Sequence, residues 1–259
     1  MTRPSIATFA LCLAGALGIS TPLRICATEG SFFDNRGMQY GDSARWQGYT
    51  AQGDAAMDER SYGRAIGFFT AALDQRPRED YAAYLHARRG DAYFRKGELE
   101  KARADYLRAI SFQPRGADDY LIRANTFGKL GNYRAAASDL AKAVELAPED
   151  SSALNSLAWL QATCPDASVR DGRSALRAGT KACELTKWKN SSIIDSLAAA
   201  HAEAGAFADA IKFEQQAIGM RSTTTDDRKE MQERLALYQR RKPYREAAGA
   251  LRPVRRPSD

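Results

Sequence analysis

Two histidines, His86 and His201, and the pair Cys164 and Cys183 are the side chains of this 259-residue sequence best suited to acid–base, nucleophilic or metal chemistry. Neither histidine has a sequence neighbour that makes a nucleophile–base pair. His201 stands where other repeats of the chain carry Tyr93 and Phe127, which marks it as a packing residue. No CxxC, CxxCH or Cys–His cluster offers metal-ligand spacing. Gly172 and the later Gly179-Thr180-Lys181 have the wrong order and spacing for a phosphate loop and fall in helical register. Asn190-Ser191-Ser192 matches a glycosylation triplet, a pattern common by chance. No catalytic residue, metal or cofactor is assigned. What remains is recognition chemistry. Arg88, Asp91, Arg95, Asn125, Lys129, Asn155 and Trp159 combine charges, amides that both donate and accept, and an indole anchor. They are the candidate groove for a protein or peptide partner.

The elements that position them come from a repeat. Ala65, Ala102, Ala136, Ala175 and Ala210 recur at intervals of 37, 34, 39 and 35 residues. Ala72, Ala109, Ala143, Ala182 and Ala217 follow seven residues behind. Gly53, Gly90, Ala124, Ala158 and Ala198 form an earlier column, and Pro77, Pro114 and Pro148 close the first three units. A period near 34 residues is the mark of stacked helix-turn-helix units. Apolar residues recur at three and four residue steps, as in Ala136, Leu140, Ala143, Val144 and Ala147, so each unit is two amphipathic helices. The small columns mark the closest helix crossings, where a larger side chain costs about 1–3 kcal/mol. In the third unit Gly131 and Asn132 are expected to form the turn, since both tolerate the left-handed conformation. Each proline ends a second helix, because it lacks an N–H to donate.

At Gly90, Tyr93, Gly97, Ala102, Tyr106, Ala109 and Pro114 the chain resembles the tetratricopeptide repeat family. The resemblance covers residues 46–222 as five units beginning near 46, 83, 117, 151 and 191. It implies an all-α fold, an α-solenoid of about five helix-turn-helix units, and a groove lined by first helices that grips protein partners through Lys, Arg and Asn. The set that captures a terminal carboxylate is incomplete here, since Thr50 and Leu121 stand where Lys is expected. The strings LAWLQATCPD (157–166), RDG (170–172) and KACELTKWKN (181–190) resemble a sub-group of bacterial repeat proteins, as does LALYQRRKPYRE (235–246).

Outside the array, Arg3 precedes an apolar run from Ile6 to Ile19 and small residues up to Ala27. This is a secretory signal pattern over residues 1–27, too short for a membrane span of about 20 residues. It predicts export to the periplasm, cell envelope or medium, with an uncleaved N-terminal anchor as the alternative and sole route to a membrane. Residues 28–45 read as a linker or short helix. Residues 223–241 read as a capping helix, begun by the STTTDD caps, with Met231, Leu235 and Tyr238 on its buried face. Residues 242–259 read as a basic, disordered tail.

The net charge of +6 is concentrated at the ends, with Arg3 and Arg24 in the signal and a net +5 from Arg240 to Asp259. The body between is near neutral, which argues against a nucleic-acid-binding domain and leaves the tail for weak contact with an anionic surface. In an exported chain Cys164 and Cys183 have an oxidising compartment in favour of a disulfide. Helix geometry opposes it: Cys183 lies roughly 18 Å of rise from the start of its helix, whereas a bond needs Cα atoms within about 7 Å.

Export predicts Thr28 as the mature N-terminus. Intact mass of the protein from its native host checks it, and a retained Met1 overturns it.

Overall fold

The computed structural model describes residues 43–248. The signal over 1–27, the linker up to residue 42 and the tail from 249 onward lie outside the described residues. Within them the chain is all-α, with eleven helices and no strand, and it divides between Arg115 and Gly116 into two compact units.

The first unit holds α1 (Ser43–Asp58), α2 (Tyr62–Asp74), α3 (Glu79–Lys96) and α4 (Leu99–Ser111). Each helix packs on the next. Glycine decides how closely. A Cβ placed on Gly53 would stand 2.5 Å from the Phe69 ring, and one on Gly90 would stand 2.7 Å from the Tyr106 ring. The aromatic of the second helix thus lies flat against the bare backbone of the first. Ala65, Ala72, Ala102 and Ala109 complete the crossings and are at most 2% exposed. Gly97 ends α3 at φ 86°, a left-handed conformation that suits glycine. Arg89 on α3 donates to both carboxylate oxygens of Asp105 on α4, at 2.7 and 2.9 Å, which bolts the hairpin together.

The second unit holds α5 (Ala117–Lys129), α6 (Tyr133–Leu146), α7 (Ser151–Thr163), α8 (Gly172–Leu185), α9 (Ser191–Glu203), α10 (Phe207–Gly219) and α11 (Thr225–Gln239). Arg123 and Asp139, each 34 residues after Arg89 and Asp105, repeat the same two-pronged pair at 2.7 and 2.8 Å. Ala124, Ala136, Leu140 and Ala143 share one core cluster with Tyr133 and Leu160. Gly131 turns at φ 75° as expected. Asn132 completes the turn at φ −89° and caps α6 by accepting from the Ala135 N–H, a use its short side chain favours.

Helices α7 and α9 each bury ten of their thirteen residues, so they are covered nearly all round. The cover on one side is α11 and the chain after it. Thr224 caps α11 by accepting from the Asp227 N–H. Met231, Arg234 and Tyr238 form its buried face, whereas Leu235 is only partly buried. This corrects the expected face of Met231, Leu235 and Tyr238. The helix is turned so that an arginine enters the core, because buried carboxylates await it there. Residues 242–248, expected as the start of a disordered tail, are instead placed after the turn that ends α11, without regular secondary structure, and Tyr244 to Glu246 lie beside α7, with the Glu246 N–H donating to the Thr163 carbonyl at 2.9 Å. Composition hides this, since the partners lie 83 and 87 residues upstream. Cys164 and Cys183 are both free and buried, and they belong to different core clusters.

Ala136 is fully buried, so Ala136→Leu is expected to lower unfolding stability by about 1–3 kcal/mol through overpacking. Urea unfolding followed by helical circular dichroism checks it, and an unchanged midpoint counts against the crossing assigned to this column.

Candidate functional site

Each sequence-predicted groove residue has a definite place, and most are already engaged. In the first unit, Arg88 on α3 donates through Nε and a terminal nitrogen to Asp54 Oδ1 on α1, at 2.9 and 2.6 Å. Tyr84 joins the same carboxylate at 3.3 Å. Asp91 accepts from the Tyr106 hydroxyl at 2.6 Å. These residues staple neighbouring helices rather than face a ligand. The one-turn spacing that groups them on a helix also points that face at the next pair, which helix periodicity cannot distinguish from an open face. Arg95 keeps partial exposure.

In the second unit, Lys129 is partly exposed, whereas Asn125, Asn155 and Trp159 are buried at 3%, 1% and 2% exposure. Neither end of the Asn125 side-chain amide finds a hydrogen-bond partner among the described residues. Trp159, expected as an open apolar anchor, is covered by the chain's own C-terminal segment. Its Nε1–H donates to Glu246 Oε1 at 2.8 Å, and the Tyr244 ring stands 5.9 Å away centroid to centroid. The Arg234 guanidinium lies over both rings, at 5.4 Å from Trp159 and 5.6 Å from Tyr244.

Beneath Arg234 is a charged core that no sequence motif announces. Arg234 donates to both oxygens of Asp195 on α9 at 2.9 Å and approaches Glu214 on α10 at 3.5 Å. Glu230 stands one turn back at 3.6 Å. All three central groups are at most 5% exposed. Burial, reinforced by the adjacent Asp195 charge, pushes the Glu214 carboxyl well above the usual carboxylate range. Asp195 is raised as well, by burial against the pull of Arg234, so the site disfavours a second buried charge beside the one arginine. A weaker signal was present: Asp195, Glu214 and Arg234 each interrupt an apolar stripe, as in Ile193-Ile194-Asp195-Ser196-Leu197.

The C-terminal segment completes the site. Arg245 pairs with Glu203 and donates to the Ala162 carbonyl at 3.2 Å. Glu203 also takes Arg170 at 3.2 Å, and Arg170 donates to the Cys164 carbonyl at 2.8 Å. The end of α7, whose last carbonyls have no partner within the helix, is thus closed by Arg170, Arg245 and the Glu246 amide. Burial raises the Glu246 carboxyl to about 7, against the opposing pull of the Trp159 indole N–H and Arg234.

The remaining reactive groups stand apart from this arrangement. Burial pushes the Cys183 thiol up to about 12 and raises Cys164 as well, so neither is poised as a thiolate. His86 Nδ1 lies 3.0 Å from Asp105, and His201 stacks on Phe213 at 5.2 Å, its pKa lowered by burial. Gly179, Thr180 and Lys181 fall within α8 and form no loop. Among the described residues no group of three His, Cys, Asp or Glu side chains is placed to hold a metal, and no helix is long and apolar enough to cross a membrane.

The repeated hairpins, with small residues at every crossing, define an α-solenoid of helix-turn-helix units. A family model described as TPR repeat matches residues 90–131, and one described as tetratricopeptide repeat matches residues 123–163. Tetratricopeptide repeats therefore occupy that stretch. Among solved structures, TTC0263, a thermophilic tetratricopeptide protein of Thermus thermophilus, is similar at TM-score 0.56 and 15% identity, over 75% of this chain and 98% of that one. A tetratricopeptide repeat protein from Parabacteroides merdae is similar at 0.50 and 17%, over 77% and 75%. The Cut9–Hcn1 hetero-tetramer of the APC/C gives 0.55 and 16%, over 76% of this chain and only 37% of that chain. At such identities the likeness is one of fold. A search of curated proteins returned no match.

Removing the guanidinium leaves Asp195 buried without its partner. Arg234→Ala is expected to destabilise the second unit by about 3–5 kcal/mol, read from its thermal or urea transition. A loss under about 1 kcal/mol would contradict a dry, single-arginine core.

Glu246 gives a pH dependence. Its carboxyl titrates near 7 when docked, against an ordinary 4.5, so the docked segment binds the proton more tightly than the free one. Docking is strongest below about 4.5 and weakens as pH rises through 7. The charged groups facing it are Arg234 and Glu230 of α11. Hydrogen exchange at the Glu246 amide, corrected for intrinsic rate, should show more frequent opening at pH 8 than at pH 5.5. An opening constant that does not change with pH rules out this titration.

Proposed function

We propose that the chain is a non-catalytic scaffold that binds protein partners through extended segments laid along its first helices. The observation that supports this is the chain's own residues 243–246, which lie on α7 without forming a helix and are held by a main-chain hydrogen bond, an aromatic contact and a carboxylate–indole bond. A face that takes one such segment has the chemistry to take others. The tetratricopeptide fold is in general a scaffold for protein association, and the described cysteines and histidines are placed for packing. Arg95 and Lys129 are the predicted groove cations that keep exposure, and each is proposed to contact a partner in its own unit.

Panning a random peptide display library on the immobilised protein tests the reading. Retained peptides are expected to bind the free protein with micromolar constants. Losing one charge-assisted contact costs about 1.5–3 kcal/mol, or roughly ten- to a hundredfold in affinity. Arg95→Ala and Lys129→Ala, measured separately, should each weaken a subset of these peptides by that factor. A library that yields no binder above background overturns the scaffold reading. Unchanged affinity in both variants removes these two positions from it.

A second reading is an exported envelope structural or assembly factor held to an anionic surface by basic C-terminal residues. Arg240, Arg241 and Lys242 are exposed side by side after α11, which favours it, while Arg245 is withdrawn into the pair with Glu203. Salt-sensitive binding to vesicles of anionic lipid, lost on replacing the three by Ala, is its signature.

A further inference from the structure

We infer that the α7–α9–α11 face is a recognition groove for an extended aromatic–basic–acidic segment of a partner protein, and that Tyr244-Arg245-Glu246 occupy it in cis as a displaceable stand-in. The inference rests on the scaffold reading and names its site and ligand.

Three observations carry it. The first is the asymmetry between groove and occupant. The floor of the groove has contacts besides those to the segment: Trp159 packs with Ala162, Ala175, Ala199 and Ala200, and Arg234 is fixed by two bonds to Asp195. The occupant is only half-buried from Pro243 to Glu246, and exposed at Ala247 and Ala248. The second is the manner of seating. The segment adopts no helix, and its contacts are those of a bound peptide rather than a core element. The Glu246 N–H meets the Thr163 carbonyl, and Arg245 meets the Ala162 carbonyl, both at the end of α7 where carbonyls lack intrahelical partners. Any peptide has a main-chain N–H for the first of these, so that part of the grip does not depend on sequence.

The third is selectivity. Tyr244 and Glu246 are two residues apart and both meet Trp159. The aromatic lies beneath Arg234 and beside Trp159, and the carboxylate takes the Trp159 indole N–H. Arg245, between them, reaches Glu203 on the other side. An aromatic, a base and an acid in that order satisfy all three positions. The mixed charge matters. A purely acidic segment would leave Glu203 facing a like charge, and a purely basic one would face Arg234. The short connection through Arg240–Lys242 keeps the cis segment at an effective concentration of about millimolar, so a partner must out-compete it or arrive with a second contact.

The probe is a fluorescein-labelled peptide with the sequence of residues 240–248. Its anisotropy is titrated with the full chain and with the Tyr244→Ala/Glu246→Ala variant, whose own segment can no longer fill the groove. The variant is expected to bind the probe at least tenfold more tightly than wild type. Replacing the probe's tyrosine or its glutamate by alanine should each weaken that binding at least tenfold. A folded variant that does not take the probe overturns the inference. So does a variant that fails to fold, since the segment is then part of the core. A wild-type dimer that exchanges this segment between copies overturns the partner assignment, because the occupant is then a second chain. If library peptides still bind the variant while the probe does not, the scaffold reading stands and this site alone is lost.

Discussion

Helix pairs can approach closely only where one of them carries no bulk, and the rest of this structure follows from that. Gly53 and Gly90 lie directly under the Phe69 and Tyr106 rings, sixteen residues further on in each hairpin. In the third hairpin the same offset joins Ala124 to Leu140, again in one buried cluster. The close approach brings the next residue along each first helix near its neighbours. Asp54 meets Arg88, and Asp91 meets the Tyr106 hydroxyl. Groups this close and this withdrawn from water must be paired, so polar residues that look like a binding face become fasteners. Asn125, which occupies the same column, finds no such partner among the described residues.

The offset also explains the charged core. Sixteen residues after Ala198 comes Glu214, where the first three hairpins have an aromatic or leucine. A carboxyl in that slot cannot stay ionised beside Asp195 without a cation. Burial and the neighbouring charge push its carboxyl upward toward the neutral form, and α11 delivers Arg234 to Asp195. A buried ion pair adds little net stability over an apolar packing of the same shape, but it strongly disfavours misplacement of its partner. The cap is thereby set in one rotation, with Arg234 inward and Leu235 displaced toward the surface. That rotation in turn lays the guanidinium against Trp159 and makes the shelf on which Tyr244 and Glu246 lie.

The two halves of the recognition problem therefore separate. In the first unit the prominent charges hold hairpins together, and Arg95 is what remains at the surface. In the second unit the indole and guanidinium form a rigid floor, and a short, half-buried stretch of the chain's own backbone covers it. Rigid floor and loose cover is the arrangement expected of a site where binding energy comes from preformed contacts and little ordering is required of the scaffold.

How much of this was legible in the sequence depends on the range of the interaction. Helix positions, hairpin turns and the buried alanine columns were legible, because they follow from periodicities of 3.6 and about 34 residues that any one stretch of chain displays. Ala102, Ala109, Ala136 and Ala143 lie where the spacing puts them. The groove was not legible. Arg88 and Trp159 stand at register positions that periodicity assigns to a groove, and only the neighbouring helix or the returning chain decides whether that face is open. Asp195, Glu214 and Arg234 were visible as charges inside apolar stripes, yet their meeting depends on the rotation of α11, which no local pattern encodes. Residues 242–246 read as solvated tail because few of them are apolar. Their docking depends on a tryptophan 87 residues away in sequence and on carbonyls left free at the end of α7. Local periodicity determined the repeats. Long-range pairing of buried charge and returning chain, which exists only once the helices are stacked, decided which surfaces are closed and which can bind.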